Sequence, residues 1–166
     1  VQKLFKIGGN LALTTAGLVG HAQSLARTLA AEVSLFELRR GDSMTVKGAA
    51  TLTANILSGR PHWVQLLIVG VDSEGGSVYS IDSAGGSIPD SYCATGSGSP
   101  YMYGVLEDGF SDNMSRKEAV ALAARALSAS AQRDAASGNG MDLAVISAKD
   151  GYVPVEQSEI AALLKK

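Results

Sequence analysis

The chain has little of what usually anchors a core or marks a cofactor site. It holds one Trp, three Phe and five Tyr, so Ala, Val, Leu and Ile must supply most of the interior. Cys93 is the single cysteine. It cannot form an internal disulfide, which fits a reducing compartment and an expected cytoplasmic location. The two histidines, His21 and His62, are far apart in sequence and lack metal-ligand spacing, so neither zinc nor any other metal or cofactor is expected. The formal net charge is −2, without the basic footprint that nucleic acid or an anionic membrane surface requires. No apolar run approaches the length needed to span a bilayer. The opening Val1-Gln2-Lys3-Leu4-Phe5-Lys6-Ile7 reads as a strand and not as a signal peptide, and it begins without Met.

What is present is the composition of a folded chain. Of 166 residues, 46% are hydrophobic and 18% charged, which suits one domain, residues 1–166, with a sizeable core. Lys3 to Ile7 alternates polar and apolar, Gly8-Gly9-Asn10 turns, and Leu11 to Thr15 returns, predicting a hairpin. From Leu18 to about Arg39 the period lengthens. Leu18, Ala22, Leu25, Leu29, Val33 and Phe36 mark one face of a long helix, with Gly41 as its stop. Thr45 to Leu57 is a second helix, with Val46, Ala49, Ala50, Thr53, Ile56 and Leu57 inward, closed by Gly59-Arg60-Pro61.

Trp63 to Val71 is a near-continuous apolar run and predicts a buried central strand. Asp72 to Gly76 turns into Ser77 to Ile81, and after Gly85-Gly86 a further strand is expected over Ser91 to Thr95. Pro100 opens a short helix through Leu106. Ser115-Arg116-Lys117-Glu118 is a capping box, and the helix behind it should bury Val120, Ala123, Ala124, Leu127 and Ala131. Met141 to Ser147 and Tyr152 to Val155 are strands, and Glu156 to Lys166 is a short last helix. Strand runs alternating with helix pairs predict an α+β chain in which antiparallel sheets lie between helix layers.

Three features carry candidate chemistry. Thr95-Gly96-Ser97-Gly98-Ser99-Pro100 stands at a strand-to-helix junction, where glycines permit tight turns and a helix start attracts anions. It is either a phosphate-binding turn or a structural one, and it lacks the Gly-Lys-Ser/Thr of a Walker loop. Arg133 to Gly140 follows a helix; Asp134 and Ser137, three apart, either anchor a shared hydrogen-bond network or cap the helix end. Lys3 either faces solvent from its strand or points inward beside a carboxylate. Cys93, placed on an apolar strand without a nearby histidine, reads as a small core residue, and the methionines as core filler.

Taken in order, these segments resemble proteasome β subunits, most closely the archaeal catalytic kind. The resemblance rests on Leu13-Thr14-Thr15-Ala16-Gly17-Leu18-Val19-Gly20 with the following Ala22-Gln23 pair, and on Glu37-Leu38-Arg39-Arg40. It continues through Gln65 to Gly70, Ser80-Ile81-Asp82, Ala84-Gly85-Gly86, Thr95 to Pro100 and Tyr103 to Glu107. Gln132-Arg133-Asp134, Ser137-Gly138 and Lys149-Asp150-Gly151-Tyr152 complete it. Each piece is weak alone, while the ordered set is specific.

The resemblance implies the four-layer αββα sandwich of N-terminal nucleophile hydrolases. It implies a homo-oligomeric seven-membered β ring, stacked with rings of proteasome α subunits, that cuts unfolded protein substrates inside a closed chamber. A regulatory ATPase would act through the α ring. The implied chemistry is that of a threonine-type endopeptidase, whose N-terminal threonine supplies both hydroxyl and amine. Position by position, Lys3 matches the active-site lysine, and Gly17 the residue whose N–H helps form the oxyanion hole. Ser97, Asp134 and Ser137 match the groups around the threonine and its amine. Thr15 matches the main specificity-pocket residue, with Val19 and Gln23 nearby.

The departure lies upstream. The family's threonine and a catalytic aspartate precede the lysine, and here only Val1 and Gln2 do. The expectation is that roughly thirty residues, about two strands with their turns, are missing from this sequence. The alternative is a shortened β-like subunit that completes a ring without catalysis; a remote alternative is a phosphate- or nucleotide-binding domain. His21 stands where the family usually has an acidic residue.

Overall fold

A computed structural model of the chain describes residues 2–133 and 140–165. The element order is β1 (Leu4–Gly8), β2 (Leu11–Gly17), α1 (Val19–Arg40), α2 (Val46–Gly59), β3 (Val64–Asp72), β4 (Gly75–Ile81), β5 (Ser87–Asp90), α3 (Ser99–Gly109), α4 (Arg116–Arg133), β6 (Ala144–Ser147), β7 (Gly151–Pro154) and α5 (Gln157–Leu164). The chain is α+β, as expected. It divides into two compact units, one of Val1–Thr95 with Ile146–Tyr152, the other of Gly96–Val145 with Val153–Lys166. No helix of the described residues is long and apolar enough to cross a membrane.

In the first unit β1 to β5 form a five-stranded antiparallel sheet in chain order. Each strand pairs with the next, so every connection within it is local except the α1–α2 excursion between β2 and β3. That helix pair packs on one sheet face, α1 over β1 and β2, α2 over β3 and β4. The register explains the core. Leu13 lies opposite Ile68 and Leu66 opposite Ile81, and all four are fully buried with Leu11 beneath the helices. From above, α1 contributes Ala22, Leu25, Ala26, Leu29 and Val33, and α2 Val46, Ala49, Ala50, Thr53 and Leu57. Each large aliphatic side chain removed from water in this layer contributes about 1.5–3 kcal/mol.

Local chemistry sets the ends of the helices. Gly41 closes α1 in the left-handed region, φ 67°, where only glycine is at ease, and its N–H donates to Glu37 O. Thr45 caps α2 by accepting from Gly48 N–H at 3.0 Å. Asp72, at the end of β3, accepts from Val46 N–H at 2.9 Å, so a strand carboxylate caps the neighbouring helix.

Several expectations need correction. Leu18 is not on the buried face of α1; it is the N-cap residue and largely exposed. Phe36 and Ile56 only border the core. Trp63 precedes β3 and is 74% exposed. The strand expected over Ser91 to Thr95 lies earlier, at Ser87–Asp90. The reason is the tight turn before it: Asp82 Oδ1 accepts from the N–H groups of both Ala84 and Gly86. Pairing therefore starts at once, Ser87 opposite Ile81, and ends at Asp90 opposite Val78. Cys93 consequently sits in a loop, half-buried, and not on a strand.

In the second unit the capping box forms as expected, Ser115 N–H to Glu118 Oε1 and Glu118 N–H to Ser115 Oγ, both 3.2 Å. The buried face of α4 differs from the expected one: Val120, Leu122, Ala124, Ala126 and Ser130 are buried, while Ala123, Leu127 and Ala131 are half-buried. Val120 packs with Val155 and Ile160, whereas Leu122 lies close over Gly109 at the end of α3. A helix covered on two sides cannot show a single apolar stripe. β6 is shorter than expected, because Met141 and Leu143 pack against the Val120 cluster ahead of the strand.

Candidate active site

Lys3 extends the β1–β2 ladder by one step. Its carbonyl accepts from Thr15 N–H at 2.9 Å, next to the Leu4–Thr14 pair. Opposed strand residues share a face, so Lys3 and Thr15 lie on the side of Phe5 and Leu13, the side that α1 covers farther along the strands. At this end Lys3 is exposed, whereas Thr15 is buried. Of the two readings of Lys3, the structure takes parts of both: the residue is on the helix side of the sheet and yet open to solvent. No ion pair to Lys3 is formed among the described residues.

Gly17 ends β2. It has φ 122°, a conformation that an L side chain rarely adopts. A Cβ added there would collide with the Trp63 carbonyl oxygen and come within 2.9 Å of Val64 Cα. Both conditions demand glycine. The direction of its N–H follows from the ladder. Leu18 N–H donates to Trp63 O at 2.9 Å around the Gly17–Val64 pair, which makes that pair a non-hydrogen-bonded one. Thr15 N–H already points to β1, so alternation turns the Gly17 N–H to the same side. It emerges beyond Lys3, at an exposed backbone position.

The first turn of α1 carries the expected pocket residues. Val19 and Gln23 are four apart on one helix face, and both are exposed. Thus Lys3, Thr15, Gly17, Val19 and Gln23 gather at one end of the first unit, where β1, β2 and α1 meet.

The same corner holds two residues that sequence spacing did not connect. Trp63 N–H donates to His21 Nδ1 at 2.9 Å. The His21 and His62 rings stand edge to face, centroids 5.3 Å apart. Only the fold brings them together, and no group of three or more metal-ligating side chains forms among the described residues.

Ser97 belongs to the second unit, in the turn before α3, and is exposed. Gly96 has φ 97°. Ser99 N–H closes the turn on Gly96 O at 3.1 Å, and Tyr101 N–H donates to Gly98 O at 3.2 Å. Pro100 has no N–H. The first amides of α3 are therefore spent inside the turn, which favours the structural reading of this segment over a phosphate cradle. Asp134 and Ser137 lie outside the described residues.

Residues 1–146 match the family described as "Proteasome subunit". A "Proteasome subunit beta" of Thermoplasma acidophilum is 47% identical over 168 residues, covering 99% of this chain and 79% of that protein. The protein of the same name from Methanobrevibacter ruminantium is 45% identical over 165 residues, again 99% and 79%. One from Ferroglobus placidus is 47% identical over 169 residues, covering 99% and 80%. With a family match over most of its length and such relatives across nearly all of it, the chain belongs to the proteasome subunit family, alongside subunits of the β type.

Proposed function

We propose that the chain acts as a β-ring subunit of a 20S-type proteasome core particle, as a threonine-type endopeptidase working on unfolded protein in the cytoplasm. The observation that carries this reading is the Gly17 backbone. It is a glycine-only position whose N–H is turned away from its own sheet neighbour β3 and emerges on the β1 side, beyond Lys3.

In this reading the nucleophile is an amino-terminal threonine carried on strands ahead of Lys3. Its hydroxyl attacks the peptide carbonyl while its α-amine, with an ordinary pKa of about 7.7–8.0, takes the proton. Lys3, an exposed cation at the strand end, favours the alkoxide. The Gly17 N–H donates to the tetrahedral oxyanion; one such donor is often worth about 3–4 kcal/mol. The proton then passes to the leaving amine, and water hydrolyses the resulting ester. Ser97, Asp134 and Ser137 are proposed to orient the threonine and its amine. Thr15, Val19 and Gln23 are proposed to line the pocket for the residue before the cut, and a short buried hydroxyl at Thr15 implies no strongly charged preference.

The test is Lys3→Ala in the subunit expressed from its whole reading frame and assembled with its α subunits. Cleavage of a fluorogenic peptide should be abolished while ring assembly, followed by native mass spectrometry, persists. Near-normal turnover would refute the role of Lys3. An unsubstituted particle that assembles but cleaves nothing would favour the structural-subunit reading instead.

A further inference from the structure

Trp63 is held at both of its backbone polar atoms by the first turn of α1. Its C=O accepts from Leu18 N–H at 2.9 Å, and its N–H donates to His21 Nδ1 at 2.9 Å. Leu18, the N-cap, makes no side-chain cap bond of its own. The pair of bonds is thus a clamp between the start of α1 and the residue leading into β3. Gly17 lies inside this clamp, so close to the Trp63 carbonyl and Val64 Cα that a Cβ added to it would overlap both. No side chain stands between them, so a displacement of Trp63 passes directly into the Gly17 backbone.

We infer that His21 is a positioning residue: by holding the Trp63 amide, it fixes the peptide geometry of Gly17 and Leu18 at the candidate oxyanion site. The inference rests on the reading of Gly17 given above. Because Nδ1 faces an N–H group it acts as the acceptor, which puts the ring proton of neutral His21 on Nε2. His62 steadies that ring. Its own Nδ1–H donates to Arg60 O at 2.6 Å, and its ring meets His21 at an interplanar angle of 73°. An acceptor is what the position needs, and a charge is not required of it. Asparagine places Oδ1 as many bonds from the backbone as histidine places Nδ1.

The experiment compares His21→Leu and His21→Asn with the unsubstituted subunit in the assembled particle. It reads kcat and KM on a fluorogenic peptide, together with hydrogen exchange at the Leu18 and Trp63 amides. His21→Leu should lower kcat about tenfold, the size expected for losing one hydrogen bond that orients a donor. KM should be unchanged, and both amides should exchange faster. His21→Asn should restore kcat and protection together. Full kcat with unaltered exchange in His21→Leu would overturn the inference, as would a folded His21→Asn that behaves like His21→Leu. If the unsubstituted particle cleaves no peptide, the peptidase reading falls separately, and exchange still decides the clamp: unaltered protection in His21→Leu overturns it, faster exchange with rescue by Asn upholds it.

Discussion

Replacing Gly17 by alanine tests the backbone on which the site depends. The added Cβ meets two backbone groups, Trp63 O and Val64 Cα, neither of which can rotate away as a flexible side chain would. Holding a non-glycine residue at φ 122° costs about 1–3 kcal/mol, and relieving the overlap by shifting the start of β3 costs a further ~1–3 kcal/mol. A total of about 4 kcal/mol corresponds to roughly 8–16 °C in thermal midpoint for a chain of this size. Moving the Gly17 N–H by as little as about 1 Å should cost roughly a hundredfold in turnover. Gly20 provides the control. It lies three residues on, in the first turn of α1, and a Cβ there meets nothing within 4 Å. Gly20→Ala should stabilise by about 0.5–1 kcal/mol, since alanine loses less backbone freedom in a helix. Thermal unfolding by circular dichroism, with peptide hydrolysis by the particle, reads both variants. A Gly17→Ala protein as stable as Gly20→Ala would refute the reasoning.

Leu57 is fully buried where α2 meets the sheet, and Leu57→Ala should cost about 2–5 kcal/mol, read as a lower urea midpoint with an unchanged slope. A loss below about 1 kcal/mol would mean that the α2 layer is looser than described. At Glu118 the Ser115 hydroxyl and then the Ser115 backbone amide hold the carboxyl below its ordinary range. Its folded pKa therefore lies under the unfolded one. The stability it brings is complete above the ordinary glutamate pKa of about 4.3, and disappears as pH falls through the lower folded value. Glu118→Gln should flatten the loss of stability in that acidic window relative to the parent, measured by urea unfolding at a series of pH values. Parallel curves would contradict the capping-box assignment.

Much of the architecture was legible in the order of residues. The period of Ala22, Leu25, Leu29 and Val33 marked α1, Gly41 marked its end, and Ser115 with Glu118 marked the start of α4, because each is a local rule acting within one or two turns. The run from Trp63 to Val71 announced a central strand for the same reason, and β3 occupies Val64–Asp72. The resemblance carried by short ordered segments pointed to the family; of the site it implied, Lys3, Gly17, Thr15, Val19 and Gln23 lie in the first unit, Ser97 lies in the second, and Asp134 and Ser137 lie outside the described residues. β5 was misplaced by a few residues, since the Asp82 turn that starts its pairing depends on a side chain bonding back to two amides. The two-sided burial of α4 was hidden because it is set by α3 on one flank and by the Val155–Ile160 cluster on the other.

What the sequence by itself determined is therefore the set of elements and the family. Only the tertiary structure decided that Trp63 closes on Gly17 and that His21 reaches the Trp63 amide. The spacing of 21 and 62 along the chain carries no trace of their meeting. Contacts of that kind arise when α1 and α2 fold over the sheet and return the chain to the end of β2, and they are set by packing distance, not by the local preferences of the residues involved.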